Sequence, residues 1–301
     1  MEIRQVNSLD DGVYCVDTLV GGQKEAISCF ILEFEHVAIV EAGPISTYKT
    51  LLEALDEIGV RREKVRYIAV THIHLDHGGA SGVLLKELPE AKVIAHPLGV
   101  KHLADPSKLW KASSSILGSL AEIYGQPVPA DASRIIAARD GLRVNLGGEE
   151  LVAIHSPGHA PHHAAFFLEN RRILFTGDAA GMFMTGHLIP TTPPPFRLDL
   201  AIKSLKRFER LKPLQIGFTH FGMSQSNGYL EKAIQKKKLW VDLAKDVVEA
   251  GGGVDELHAK LLEVDEDYRN LCKYYSGSDV VLTMYRVGLM GLVEFVRNGL
   301  R

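Results

Sequence analysis

Thr71-His72-Ile73-His74-Leu75-Asp76-His77-Gly78-Gly79 decides how this chain is to be read, because it packs three imidazoles and one carboxylate into residues 72–77. The preceding Val65-Arg66-Tyr67-Ile68-Ala69-Val70 has the β-branched and aromatic content of a buried strand. Where that strand ends the side chains are free of the sheet, so His72 and His74, two positions apart, can point the same way. Asp76 and His77 then turn the corner, and the two glycines let the backbone pass close beneath them. A solvated loop accounts for any one of these histidines alone, but not for four donor side chains so close together. They predict a metal site, and imidazole nitrogen with carboxylate oxygen suits Zn, Fe, Mn, Ni or Co.

The pattern recurs. Leu151-Val152-Ala153-Ile154 runs towards Pro157-Gly158-His159, Arg172-Ile173-Leu174-Phe175 into Thr176-Gly177-Asp178, and Leu214-Gln215-Ile216-Gly217-Phe218 into Thr219-His220. Each places a metal-type residue just past an apolar strand, where sheet folds collect their active sites.

With Glu41 after the early strand in Val40-Glu41-Ala42-Gly43, these motifs resemble the metallo-β-lactamase-fold hydrolase superfamily over about residues 10–222. The resemblance implies an α/β fold, the four-layer αββα sandwich, carrying two divalent metal ions, with zinc favoured over iron or manganese. It implies that His72, His74 and His159 hold one metal, that Asp76, His77 and His220 hold the other, and that Asp178 bridges them. Glu41 and His163 would orient these ligands from behind. Such a pair of ions supplies a bridging hydroxide, and Asp76 is the carboxylate placed to handle its proton. The implied activity is hydrolysis of an ester, thioester or lactone in a small-molecule substrate, in the manner of the glyoxalase II and lactonase branches. A phosphodiesterase, and a metal-containing ligand-binding or regulatory protein with little turnover, are the alternatives.

Several departures narrow this. Asp178 stands where true zinc β-lactamases have Cys, and Cys15, Cys29 and Cys272 lie in no motif, so antibiotic hydrolysis is not expected. Glu41 replaces the more usual Asp. Ile73 interrupts the histidine run of glyoxalase II, and Gly181 stands where homoserine-lactone hydrolases often carry Tyr. The segment 182–196, apolar and stiffened by prolines, is expected to line the substrate pocket through Met182, Phe183, His187 and Phe196.

Helical character is expected at 47–58, at 80–88, in an insertion at about 106–126, at 198–211, and in three C-terminal stretches at 229–249, 254–262 and 280–296. The expected organisation is a catalytic domain over 1–224 and a C-terminal helical cap over 225–301, possible as a homodimer surface. The stripe Val281, Met284, Tyr285, Leu289, Leu292 and Val293 reads as packing, and Lys236-Lys237-Lys238 as a solvated helix face. The chain has 301 residues and a formal charge of −3, so no nucleic-acid partner is expected. No segment reaches the ~18 apolar residues of a membrane span. Unpaired cysteines and an N-terminus without a signal-peptide pattern place the protein in the cytoplasm as an expectation.

Overall fold

The first sheet takes its strands in chain order: β1 (Val6–Asp10), β2 (Val13–Asp17), β3 (Ser28–Leu32), β4 (Val37–Val40), β5 (Val65–Ala69), β6 (Lys92–Ala95) and β7 (Ile135–Ala137). The structure, a computed structural model, describes residues 6–299. Strands β1 to β4 are antiparallel and β4 to β7 parallel, the latter joined by crossovers that contain helices. These helices are α1 (Tyr48–Glu57), α2 (Leu75–Gly78), α3 (Ser81–Glu87), α4 (Pro97–Ala104), α5 (Ser107–Leu117) and α6 (Ser119–Tyr124).

The second sheet contains β8 (Arg143–Asn145), β9 (Glu150–His155), β10 (Ala164–Leu168) and β11 (Ile173–Phe175). After a separate hairpin, β12 (Met182–Met184) and β13 (His187–Ile189), it is completed by β14 (Gln215–Phe218) and β15 (Gly222–Gln225). Its order is β15-β14-β11-β10-β9-β8, with β11 and β14 parallel and every other pair antiparallel.

Period-two alternation within buried strands generates the layers. Phe30 and Leu32 of β3 and Ala38 and Val40 of β4 meet Phe166 and Leu168 of β10 between the sheets. Their neighbours Cys29, Ile31, Val37 and Ile39 face outward onto Leu51 and Leu55 of α1 and Leu84 and Leu85 of α3. On the far side, Val152, Ile154, Ala165 and Phe167 pack against Leu205 and Phe208 of helix α7 (Leu198–Leu211). The result is helix, sheet, sheet, helix, as expected. Four further helices follow: α8 (Tyr229–Glu249), α9 (Val254–Val264), α10 (Glu266–Tyr274) and α11 (Asp279–Arg297). They share one apolar cluster with α6, the β12–β13 hairpin and Phe196. No helix among the described residues is long and apolar enough to cross a membrane.

One surface reading is corrected here. The inward face of α8 carries Ala233, Ile234, Lys237, Trp240, Val241 and Ala244, so helical spacing puts the middle lysine of the basic run inside the protein, where Lys237 is 1% exposed. Lys236 is paired with Asp265 and Asp267, and only Lys238 faces solvent.

Candidate metal centre

Strand β5 ends at Ala69, and the chain descends through residues 70–74 into the short helix α2, with His74 as its N-terminal cap. His72 Nε2 and His74 Nδ1 lie 2.8 Å apart, and His159 Nε2 lies 3.1 Å from the same His74 nitrogen. Three ring nitrogens converging at hydrogen-bond distance cannot all be satisfied by one another. A second group forms beside them. Asp178 Oδ1 lies 3.3 Å from His77 Nε2 and 3.4 Å from His220 Nε2, and Asp76 Oδ2 lies 3.7 and 3.6 Å from the same two nitrogens. Asp178 Oδ2 is 3.5 Å from His159 Nε2, so this carboxylate presents one oxygen to each group.

The outward ring nitrogens of His72, His77, His159 and His220 are committed elsewhere, which leaves their Nε2 atoms turned to the centre. Thr71 Oγ1 donates to Glu41 Oε1 at 2.5 Å, so it must accept from His72 Nδ1 at 3.0 Å, and His72 Nε2 is left bare. His77 Nδ1 donates to Glu41 Oε1 at 2.9 Å, His220 Nδ1 to the Ala26 carbonyl at 2.7 Å, and His159 Nδ1 to the Thr191 carbonyl at 3.4 Å. His77 Nε2, His220 Nε2 and Asp178 Oδ1 are buried with no hydrogen-bond partner among the described residues. Buried polar atoms rarely stay unpaired, and a cation held by these donors pairs them together.

Glu41 sits fully buried behind both groups. It also accepts from the Thr71 N–H at 3.1 Å and from Thr219 Oγ1 at 3.0 Å, tying β4, the His72 segment and the His220 segment together. Burial works against its charge, but His77 and the Thr71 hydrogen bonds outweigh it and hold the carboxyl below its ordinary value. His163 accepts from the Asp178 N–H through Nε2 at 3.2 Å, so its Nδ1 carries the proton and donates to Ser156 Oγ at 2.8 Å. It therefore fixes the backbone that carries Asp178. Burial keeps His72, His74 and His159 well below the ordinary imidazole value, neutral and available as ligands. Burial disfavours a proton on His77 as well, but Asp76, Glu41 and Asp178 outweigh it and raise the group to about 10.

A profile of the metallo-beta-lactamase superfamily matches residues 24–220, which spans β3 to His220. The chain belongs to the metallo-β-lactamase superfamily. Among its relatives is the metallo-beta-lactamase fold-containing protein ST1585 of Sulfurisphaera tokodaii, 33% identical over 210 residues that make up 67% of this chain and 77% of the relative. The crystal structure of that protein superposes with a TM-score of 0.65 at 31% identity, covering 74% of this chain and 85% of the other. TTHA1429 of Thermus thermophilus, at 22% identity, shares the fold over 97% of this chain and 95% of its own, with a TM-score of 0.68. A hydroxyacylglutathione hydrolase of Aeromonas salmonicida is 29% identical over 158 residues, 52% of this chain and 48% of the relative.

In this superfamily member His74, Asp76, His159, Asp178 and His220 of the candidate centre form the floor of a cavity of about 260 Å³. Leu109, Ile116 and Leu117 of α5, Trp240 of α8, and Met284 and Val287 of α11 supply much of its apolar wall. The side chains lining it include no Lys or Arg among the described residues. Of the four expected pocket residues, Met182 lies in the wall. Phe183 packs instead on Phe218 and Tyr229, with ring centroids 5.1 and 4.8 Å away. His187 pairs with Asp267 at 3.0 Å, and Phe196 is buried against Phe295. In the β12–β13 hairpin Phe183 pairs with Leu188 on the face opposite Met182 and Ile189, which line the cavity, and His187 stands beside the turn Thr185-Gly186, beyond the cavity's reach. Sequence reasoning missed His162, Tyr124 and Trp240, all of which line the cavity. It also read Met284 and Tyr285 as packing alone, whereas both reach the wall.

Proposed function

We propose that this protein is a metal-dependent hydrolase of small-molecule ester, thioester or lactone bonds whose acyl portion is apolar. The observation that carries the reading is the Asp178 carboxylate, one oxygen turned to each donor group, at the floor of a cavity walled by aliphatic and aromatic side chains. His72, His74 and His159 would hold one divalent ion, and Asp76, His77 and His220 the other, with Asp178 shared. Zinc, iron and manganese all suit this donor set. When bound, such ions supply an activated water at neutral pH and polarise the scissile carbonyl.

The rest belongs to the chain. Asp76, only partly buried and open to the cavity, is placed to orient the attacking water and take its proton. The apolar wall excludes bulk water and holds the acyl group against the floor. A lining without Lys or Arg leaves the charge of a phosphodiester to the ions alone, and the aliphatic and aromatic wall suits an acyl chain, which favours acyl over phosphoryl substrates. The partial likeness to a hydroxyacylglutathione hydrolase adds a glutathione thioester to the candidates.

The test is turnover by metal-loaded protein of a decanoyl ester, a coenzyme A thioester, a glutathione thioester, an acyl lactone and bis-p-nitrophenyl phosphate, with Asp178→Ala beside it. Hydrolysis of an acyl substrate that Asp178→Ala abolishes is the expected result. Preference for the phosphodiester would overturn the reading, and so would retention of metal with no acyl turnover.

A further inference from the structure

Tyr124 closes α6, and its side chain is both 1% exposed and part of the cavity lining. Its hydroxyl has no hydrogen-bond partner among the described residues. Buried tyrosine hydroxyls nearly always find one, because the apolar ring can be supplied equally well by phenylalanine. Leu120 and Ala121 anchor the helix in the same apolar cluster as the ring, so the fold needs the ring and leaves the oxygen unused. The cavity that Tyr124 lines is also lined by Asp76 and Asp178, the two carboxylates of the candidate centre. Burial above all keeps the phenol protonated far above neutral pH, so it has a proton to donate to an incoming acceptor.

We propose that Tyr124 is a catalytic hydrogen-bond donor, its phenol holding the acyl oxygen of the substrate above the metal-binding side chains. The proposal rests on the acyl-hydrolase reading given above. It assigns chemistry to the inserted helices, whose α5 walls the cavity while α6 delivers the donor. The phenol keeps its proton throughout. It contributes by a hydrogen bond that strengthens as charge develops on the acyl oxygen, the kind of contact whose loss lowers kcat more than it raises KM. Removing the hydroxyl of a purely structural tyrosine would lower the melting temperature and spare kcat, whereas removing that of a catalytic one lowers kcat and spares stability.

Tyr124→Phe separates them. The expected variant keeps its metal content and circular dichroism, melts no lower than the parent, and loses about 10²-fold in kcat on the acyl substrate with KM within about threefold. An unchanged kcat would overturn the proposal. If the parent itself hydrolyses no acyl substrate, the acyl-hydrolase reading fails on its own account and the phenol is judged by binding. Calorimetric titration with decanoate then decides: about tenfold weaker binding by Tyr124→Phe sustains a donor aimed at an acyl oxygen, and equal binding rejects it.

Discussion

Glu41 shows how much one side chain can organise. It adopts a left-handed backbone with φ of 72°, a conformation that costs a non-glycine residue on the order of 1 kcal/mol. In return the carboxylate reaches Thr71, His77 and Thr219 at once, and through Thr71 it sets the tautomer of His72. One residue thus orients a histidine in each donor group. Glu41→Gln keeps the shape but removes the charge, and its amide must present a donor to at least one of these groups. We expect metal affinity to fall about 10–100-fold while the fold persists, measured by competition with a chromophoric chelator. Affinity equal to that of the parent would reduce Glu41 to a packing residue.

At the scale of elements, the Pro-rich wall of the cavity is set by how closely α11 approaches it. A Cβ on Gly291 would lie 1.9 Å from the Thr192 carbonyl oxygen, and Thr192 Oγ1 already donates to the Gly288 carbonyl at 2.8 Å. Gly291→Ala should therefore push the wall out of place, costing about 1–3 kcal/mol in urea unfolding and weakening decanoate binding. The control is Gly277→Ala, where an added Cβ meets nothing within 4 Å, and it should stay within about 0.5 kcal/mol of the parent. Equal effects of the two substitutions would sink the argument. Contacts of this sort explain what the sequence does not disclose. The sheets and the long helices are legible because Phe30, Leu32, Phe166 and Leu168 alternate with period two and α1 and α7 carry clean apolar faces. The metal-type residues are legible because each stands at the end of such a strand. Periodicity alone misses α4, although Pro97 at its start and the His96 cap mark it, and α10, although Asp265 caps it ahead of Glu266 and Asp267. The wall residues Tyr124, Trp240 and Met284 come from segments spread over more than 100 residues, and no local pattern announces which of a helix's apolar residues will face a cavity.

At the scale of the molecule, the C-terminal helices do more than cover the sandwich, because they bring a buried cation to its edge. Lys237 Nζ has no hydrogen-bond partner among the described residues, and the charge it feels is Asp178, while His159 and His163 feel its own. Burial lowers the ammonium from 10.5 to about 8, partly offset by Asp178. Below pH 8 the lysine is charged whether the chain is folded or not, and the full cost of burying that charge is present. Between pH 8 and 10.5 the unfolded chain holds a proton that the folded protein has released, so this group's contribution to stability rises with pH across that window. The displacement corresponds to on the order of 3 kcal/mol. Lys237→Met fills the same volume without a charge, and in metal-free protein it should be more stable than the parent at pH 7. Its advantage should shrink by about that amount as pH rises towards 10.5, read from urea midpoints at matched ionic strength. A stability difference that stays constant from pH 7 to 10.5 would mean that Lys237 does not carry a buried charge.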